Sequence, residues 1–246
     1  MIKVITIITN FIVITLMALL FGSCNSIGKN NTITGSGHVT AEKRDLSGNF
    51  KTISVNNALD LVVEQSDKTE IIVEADDNLQ KEIITKVENG VLVIYRAGGN
   101  FNNVTSKKIT VKTPIIDGLE ASSASTVNCS TTLKGNKLIL VSSSAASILA
   151  TVEYENIQLT GSSASTLNIK GKALQVEAST SSASAIDASE LLANEVTPST
   201  SSGGSIKVRP IENLKAEASS GGNIIYKGTP KSIQKKESSG GSIHQG

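Results

Sequence analysis

The sequence predicts an all-β fold, a parallel β-helix-like solenoid with coils of about 19–20 residues and a less regular β-rich N-terminal section. Three observations predict it. A hexapeptide, Ser-Ser-small-small-x-aliphatic, begins at Ser122, Ser143, Ser162, Ser181, Ser201, Ser219 and Ser238. The starts are 21, 19, 19, 20, 18 and 19 residues apart, so one supersecondary unit is stacked repeatedly. Between copies, as in Leu138-Ile139-Leu140-Val141 and Ile157-Gln158-Leu159-Thr160, apolar or small groups take every second place. That is strand periodicity, and a period this short has no room for a long helix beside two strands. Finally, aromatic residues make up 3% of the chain and Trp is absent, so the core must be built from Val, Ile, Leu and Ala. A narrow stack suits such a core.

Residues 1–23 read as a lipoprotein signal peptide. Lys3 precedes an apolar run from Val4 to Phe21, and Leu20-Phe21-Gly22-Ser23-Cys24 resembles a bacterial lipobox, with Phe21 where Leu is usual. Cys24 is the expected lipidation site and the new N-terminus. An uncleaved membrane anchor is the alternative, since the run is long enough to span a bilayer. Residues 24–34 read as a flexible polar tether. They carry no acid; the first acidic residue is Glu42. The expected location is the cell envelope, lipid-anchored to the outer membrane on either face.

Residues 35–118 read as the β-rich N-terminal part. Asn56-Asn57 replaces Ser-Ser, which puts Leu61 in the aliphatic column. Asn89-Gly90 between two apolar runs predicts a hairpin. The segment 76–86 is the one candidate short helix. The Gly- and Asn-rich segment 97–106 reads as a flexible loop able to meet a partner.

Residues 119–246 read as the repeat solenoid. The sixth hexapeptide position forms a structural ladder of Val127, Ile148, Leu167, Ile186, Ile206, Ile224 and Ile243. The third position, always Ala or Gly, marks a corner where backbone is expected to approach backbone. Serine there is expected to bond nearby backbone. In the last coil Ile233, Lys235 and Glu237 fall in columns that face inward elsewhere, which suits a cap on an open stack. Cys129 shares the alternation phase of Val127 and is expected to be a buried, inert thiol.

Composition removes several function classes. The formal net charge is +1, and Lys3 of the leader accounts for it, so nucleic-acid binding has no electrostatic basis. Two Cys and two His support neither a zinc site nor a disulfide framework, and no cofactor or metal is expected. From Leu119 onward the chain has one Asp, Asp187, and one Arg, Arg209, while its Glu residues scatter without forming paired columns. His38 and His244 lie in no triad context. An enzyme is therefore not expected.

Gly35-Ser36-Gly37-His38-Val39, Arg44 to Phe50, Val73 to Leu79, Glu88 to Ile94, Ile109 to Pro114 and Gly118-Leu119-Glu120 follow one another ahead of the Ser-Ser coils. In that order they resemble the family described as "putative auto-transporter adhesin, head GIN domain", over about residues 35–246. The resemblance implies a right-handed β-helix-like fold, envelope lipoproteins and an adhesive role, and it supplies no catalytic residue. The expected function is thus a non-enzymatic adhesion or binding module, held to the membrane by its N-terminal lipid. Its partner would be a glycan, peptidoglycan or another protein. The alternatives are a structural or stress-linked periplasmic interaction module and, remotely, a polysaccharide-acting β-helix enzyme.

Overall fold

A computed structural model describes residues 32–46 and 48–246. The described residues are 65% strand and 3% helix, with a β-solenoid of about 7 turns. The N-terminal section contains β1 (Thr32–Thr34), β2 (Val39–Lys43), β3 (Thr52–Val55), β4 (Asp60–Gln65), β5 (Glu70–Asp76), a 3-10 helix (Asp77–Glu82), β6 (Ile83–Glu88), β7 (Val91–Arg96), β8 (Asn100–Asn102) and β9 (Lys107–Thr113). The stack follows with β10 (Gly118–Ala121), β11 (Thr126–Cys129), β12 (Leu133–Ser142), β13 (Ser147–Gly161), β14 (Thr166–Thr180), β15 (Ala185–Thr200), β16 (Ser205–Ala218), β17 (Asn223–Tyr226), β18 (Ser232–Glu237) and β19 (Ser242–Gln245).

Each coil runs through a post-corner stretch, a bend, a pre-corner stretch and a Ser-Ser corner. The bend lies where two adjacent residues are both exposed, as at Glu155-Asn156. Equivalent stretches pair in parallel. The pre-corner sheet runs β7-β3-β10-β12-β13-β14-β15-β16-β18. The post-corner sheet runs β9-β4-β11-β13-β14-β15-β16-β17-β19. The chain therefore enters in the middle of its own stack: the β3–β4 rung lies between the later β7–β9 and β10–β11 rungs.

Antiparallel strands finish the N-terminal end. β6 pairs with β7 on one side, and β5 then β2 add to β9 on the other. The β6–β7 hairpin turns at Asn89-Gly90, whose φ values of 50° and 78° make the left-handed pair that a tight hairpin requires. The short helix is a 3-10 helix of 6 residues, and Ile83 already begins β6. Ile83-Ile84-Thr85 is β-branched throughout and finds β7 as a partner, so the helix ends early.

Two further expectations change. The segment 97–106 is pinned. Within it, β8 pairs with β1, register Thr32↔Asn100 to Thr34↔Asn102, so ordered structure begins inside the segment 24–34 that composition marks as a tether. Thr105 and Ser106 donate their amides to the buried carboxylate of Asp76 at 3.0 and 2.9 Å. Cys24 and residues 1–23 lie outside the described residues.

The corner has a different physical cause from the expected one. Ser123 and Ala124 have φ of 54° and 60°, Ser182 and Ala183 52° and 58°, Ser202 and Gly203 50° and 72°. The Ser125 amide donates to the Ser122 carbonyl at 3.2 Å, closing a type I′ turn. The third residue is exposed, and a Cβ at Gly203 or Gly221 would meet nothing within 4 Å. Its smallness answers to backbone conformation, not to close approach. The tight position is the fourth. Ser125, Ala146, Ser165 and Ser184 are buried there, and a Cβ at Gly204 would lie 2.6 Å from Thr180 Oγ1.

Candidate interaction surface

The ladder residues stack in one column. Val127 faces Ile148, Ile148 faces Leu167, and Leu167 faces Ile186. Ile186, Ile206, Ile224 and Ile243 continue it. Leu61 and Ile109 extend the column below Val127. The alternation Lys108-Ile109-Thr110-Val111 marks Ile109 as inward, but its place below Leu61 depends on the out-of-order rungs. All nine side chains are buried, so the column is core and offers nothing to a ligand.

The inner polar groups are structural as well. Burial works to raise the Asp76 carboxyl, and the amides of Ser106, Gly37 and Thr105 outweigh it, holding the group below its usual range. Burial pushes the Cys129 thiol up to about 12, which leaves it protonated and unreactive at neutral pH. The Tyr154 hydroxyl donates to the Ile116 carbonyl at 2.7 Å, and its burial raises it too. No group of three or more His, Cys, Asp or Glu able to hold a metal occurs among the described residues.

The corner serines divide by position. Inside, Ser165 Oγ donates to the Ser142 carbonyl at 2.7 Å and Ser184 Oγ to the Ser181 carbonyl at 2.8 Å. Outside, the second-position serines from Ser123 to Ser239 form an exposed ridge.

The outer faces of the two sheets differ in charge. Ion pairs tie neighbouring strands on the post-corner side: Lys108–Glu74 at 2.5 Å, Lys134–Glu153 at 3.0 Å, Lys170–Glu190 at 3.1 Å and Lys207–Asp187 at 3.6 Å. The Lys134 ammonium accordingly holds the Glu153 carboxyl below its usual range. On the pre-corner sheet the ion pairs made within the strands lie at the two ends, Lys86–Glu88 on β6 and Lys236–Glu217 between β18 and β16. Across β13 to β15 its outward columns carry Gln158, Glu177 and Thr197 in one, Thr160, Ser179 and Ser199 in the next, and Asn156, Gln175 and Glu195 in a third, while on β12 the same columns begin with Ile139, Val141 and Lys137. Those on β13 to β15 are amides and hydroxyls with a few carboxylates. Gln175 Nε2 donates to Glu195 Oε2 at 3.3 Å.

A separate cleft of about 540 Å³ lies at the N-terminal section, where Leu46, Phe50 and Ile115 meet Lys43, Arg44 and Lys51. Its cations are already engaged: Lys43 with Glu70 at 3.2 Å, Lys51 with Asp117 at 3.7 Å, and Arg44 with Glu42 at 2.8 Å.

The sequence profile of the family described as "Putative auto-transporter adhesin, head GIN domain" matches residues 49–230. No curated protein matches the chain. Among solved structures, a putative adhesin from Bacteroides fragilis superposes with a TM-score of 0.80 at 20% identity, covering 87% of this chain and 99% of that one. A putative lipid binding protein from Parabacteroides distasonis gives 0.73 at 22% identity over 88% and 100%. A putative adhesin from Parabacteroides merdae gives 0.70 at 21% identity over 87% and 99%. At these identities the likeness is one of fold.

Proposed function

The chain belongs to the family "Putative auto-transporter adhesin, head GIN domain", and from that membership we propose that it is a non-enzymatic binding module of the bacterial cell envelope, carried on a lipid at Cys24. One observation supports the binding role most: a regular outer face of amides and hydroxyls on the pre-corner sheet, beside a face already closed by its own ion pairs. A parallel stack fixes the backbone beneath such side chains in columns about 4.8 Å apart, so only the side chains themselves are ordered on binding. The neighbours described as adhesins agree with the reading.

The anchor gives the module a direction. The first described strand, β1, pairs with β8 in the N-terminal section. A chain from Cys24 to Thr32 spans at most about 29 Å when extended. A lipid at Cys24 would therefore keep this end near the membrane and point the β18–β19 end away. Incorporation of labelled palmitate into the intact protein, lost in Cys24→Ala, tests the anchor. Protease shaving of whole cells tests the exposed face, and retention on intact cells or isolated peptidoglycan tests binding. A body that is protected from protease and binds neither surface overturns the adhesive role.

Lipid binding is a second reading, favoured by the cleft of about 540 Å³ in which Leu46, Phe50 and Ile115 stand beside Lys43 and Lys51, and by the neighbour described as a lipid binding protein. Phe50→Asp with unchanged transfer of a fluorescent phospholipid would remove it.

A further inference from the structure

Three furrows adjoin on the pre-corner face. The first, about 520 Å³, includes Thr52, Pro114, Asn136 and Lys137. Lys137 also lines the second, about 280 Å³, with Asn156, Gln158, Gln175 and Glu177. Gln158 and Glu177 pass on to the third, about 210 Å³, with Thr160, Ser179, Thr197 and Ser199. The second and third furrows each run in the stacking direction, because each is lined by residues of successive rungs in register, Lys137↔Asn156↔Gln175 and Gln158↔Glu177↔Thr197, and they lie side by side about the shared Gln158–Glu177 column.

We propose that this track binds a neutral polysaccharide strand lying along the stack, its hydroxyl and acetamido groups paired with the Asn156, Gln158 and Gln175 amides and the Thr197 and Ser199 hydroxyls. The inference rests on the binding-module reading and names its ligand class. Rungs repeat at about 4.8 Å, close to the length of one sugar residue in an extended chain, so successive sugars meet successive rungs. Amides and hydroxyls both donate and accept, as sugar hydroxyls do. The charge pattern selects against the other polymers. The furrows are lined by Lys134 and Lys137 against Asp117 and Glu177, so they carry no net charge to draw a polyuronate or a nucleic acid. A protein partner would require an apolar anchor near the centre. The exposed apolar side chain on the track, Ile115, stands with Ile139 in the first furrow at one end, and the second and third furrows hold no exposed large apolar residue.

The test is calorimetric titration of the full-length chain in detergent with β-1,4-linked oligomers of glucose and of N-acetylglucosamine, two to six sugars long, with oligogalacturonate as the anionic control. Affinity for at least one neutral series rises with length, and the anionic series binds more weakly. Gln158→Ala with Gln175→Ala lowers that affinity by about tenfold or more, equal to about 1.4 kcal/mol. Lys170→Ala with Glu190→Ala, on the other face, leaves it unchanged. Both pairs lie on the surface, and a thermal melt confirms that each variant folds. The proposal is overturned by no binding of either neutral hexamer, by preference for the anionic series, or by an unaltered affinity in the Gln158/Gln175 variant. If the variant still binds cells or peptidoglycan like the unchanged chain, the track fails and the binding-module reading stands. If the unchanged chain binds no surface at all, the binding-module reading itself fails.

Discussion

Thr180 and Thr200, one coil apart, share a hydrogen bond of 2.7 Å between their buried hydroxyls inside the corner. Glycine at the fourth corner position makes room for them: a Cβ on Gly204 would lie 2.6 Å from Thr180 Oγ1 and 2.8 Å from Thr200 Oγ1. Gly204→Ala is expected to cost about 1–3 kcal/mol by overpacking. The cost should fall in a Thr180→Ala background, where the nearer hydroxyl is gone. Urea unfolding of the four proteins of the cycle measures the coupling; additive effects would mean that the hydroxyls and the glycine do not meet.

An exposed serine normally tolerates any change within about 0.5 kcal/mol. Ser202 should not, because its φ is 50°. Asn accepts the left-handed region and leads the type I′ turn, so Ser202→Asn is expected to be neutral or stabilising by a few tenths of a kcal/mol, on the order of other turn-residue effects. A β-branched side chain is an outlier in that region. Ser202→Val is expected to lose about 2 kcal/mol, as read from the shift in melting temperature.

Ile186 is 1% exposed, with Leu167 below it and Ile206 above. Ile186→Asp buries a charge without a partner and is expected to cost about 3–5 kcal/mol. Ile186→Val removes one methylene and should cost about 1 kcal/mol. Equal melting temperatures for the two variants would contradict a packed ladder.

The ladder and the corners were legible because each coil repeats them. Val127 to Ile243 can be aligned by counting, and Leu61 joins once Asn56-Asn57 is matched to Ser-Ser. What repetition could not show is cause or order. Alanine at the third corner position is compatible with a tight approach or with a left-handed φ, and only the backbone separates them: Ala183 is exposed, with φ at 58°. Rung order in the N-terminal section was hidden because periodicity compares neighbours in sequence, whereas β3 sits between β7 and β10. The pinned loop was hidden for a related reason. It is held by Asp76, about thirty residues away, through backbone amides that carry no side-chain signature. Gln158 and Gln175 are ordinary exposed residues between corners in the sequence, and they come together on one face only when the register is known.

Asp76 also sets a pH dependence. Its folded-state pKa lies below the ordinary 3.8, so the folded state favours the carboxylate. The stabilisation is present above the unfolded value near 3.8 and is lost as pH falls through the lower folded value. Hydrogen exchange at Gly37, Thr105 and Ser106 should be slow at pH 6 and lose protection below pH 3.8 beyond the intrinsic change in exchange rate. Asp76→Asn should show the loosened loop already at pH 6, with the difference between the proteins shrinking in acid. A constant difference across that range would place the loop's order elsewhere.

The far end of the stack closes on side chains. On β18, Glu237 accepts the Ile243 amide at 2.5 Å, and the Lys235 ammonium reaches the Ile243 carbonyl at 3.3 Å while lying 4.7 Å from the Tyr226 ring centroid. These two residues continue the columns of Ala216 and Ala218, which are buried one rung below. With small apolar residues there, the end would offer an unpaired strand edge over an open core, a template for the end of another molecule. Charge in both columns makes that burial costly. Lys235→Ala with Glu237→Ala is therefore expected to keep the ladder below it intact and to produce larger species at micromolar concentration in sedimentation velocity. Lys215→Ala with Glu217→Ala, outward on the rung before, should sediment as the unchanged chain does. If the Lys235/Glu237 variant shows the same mass as the unchanged protein at every concentration, the two charges stabilise the last rung without guarding the end.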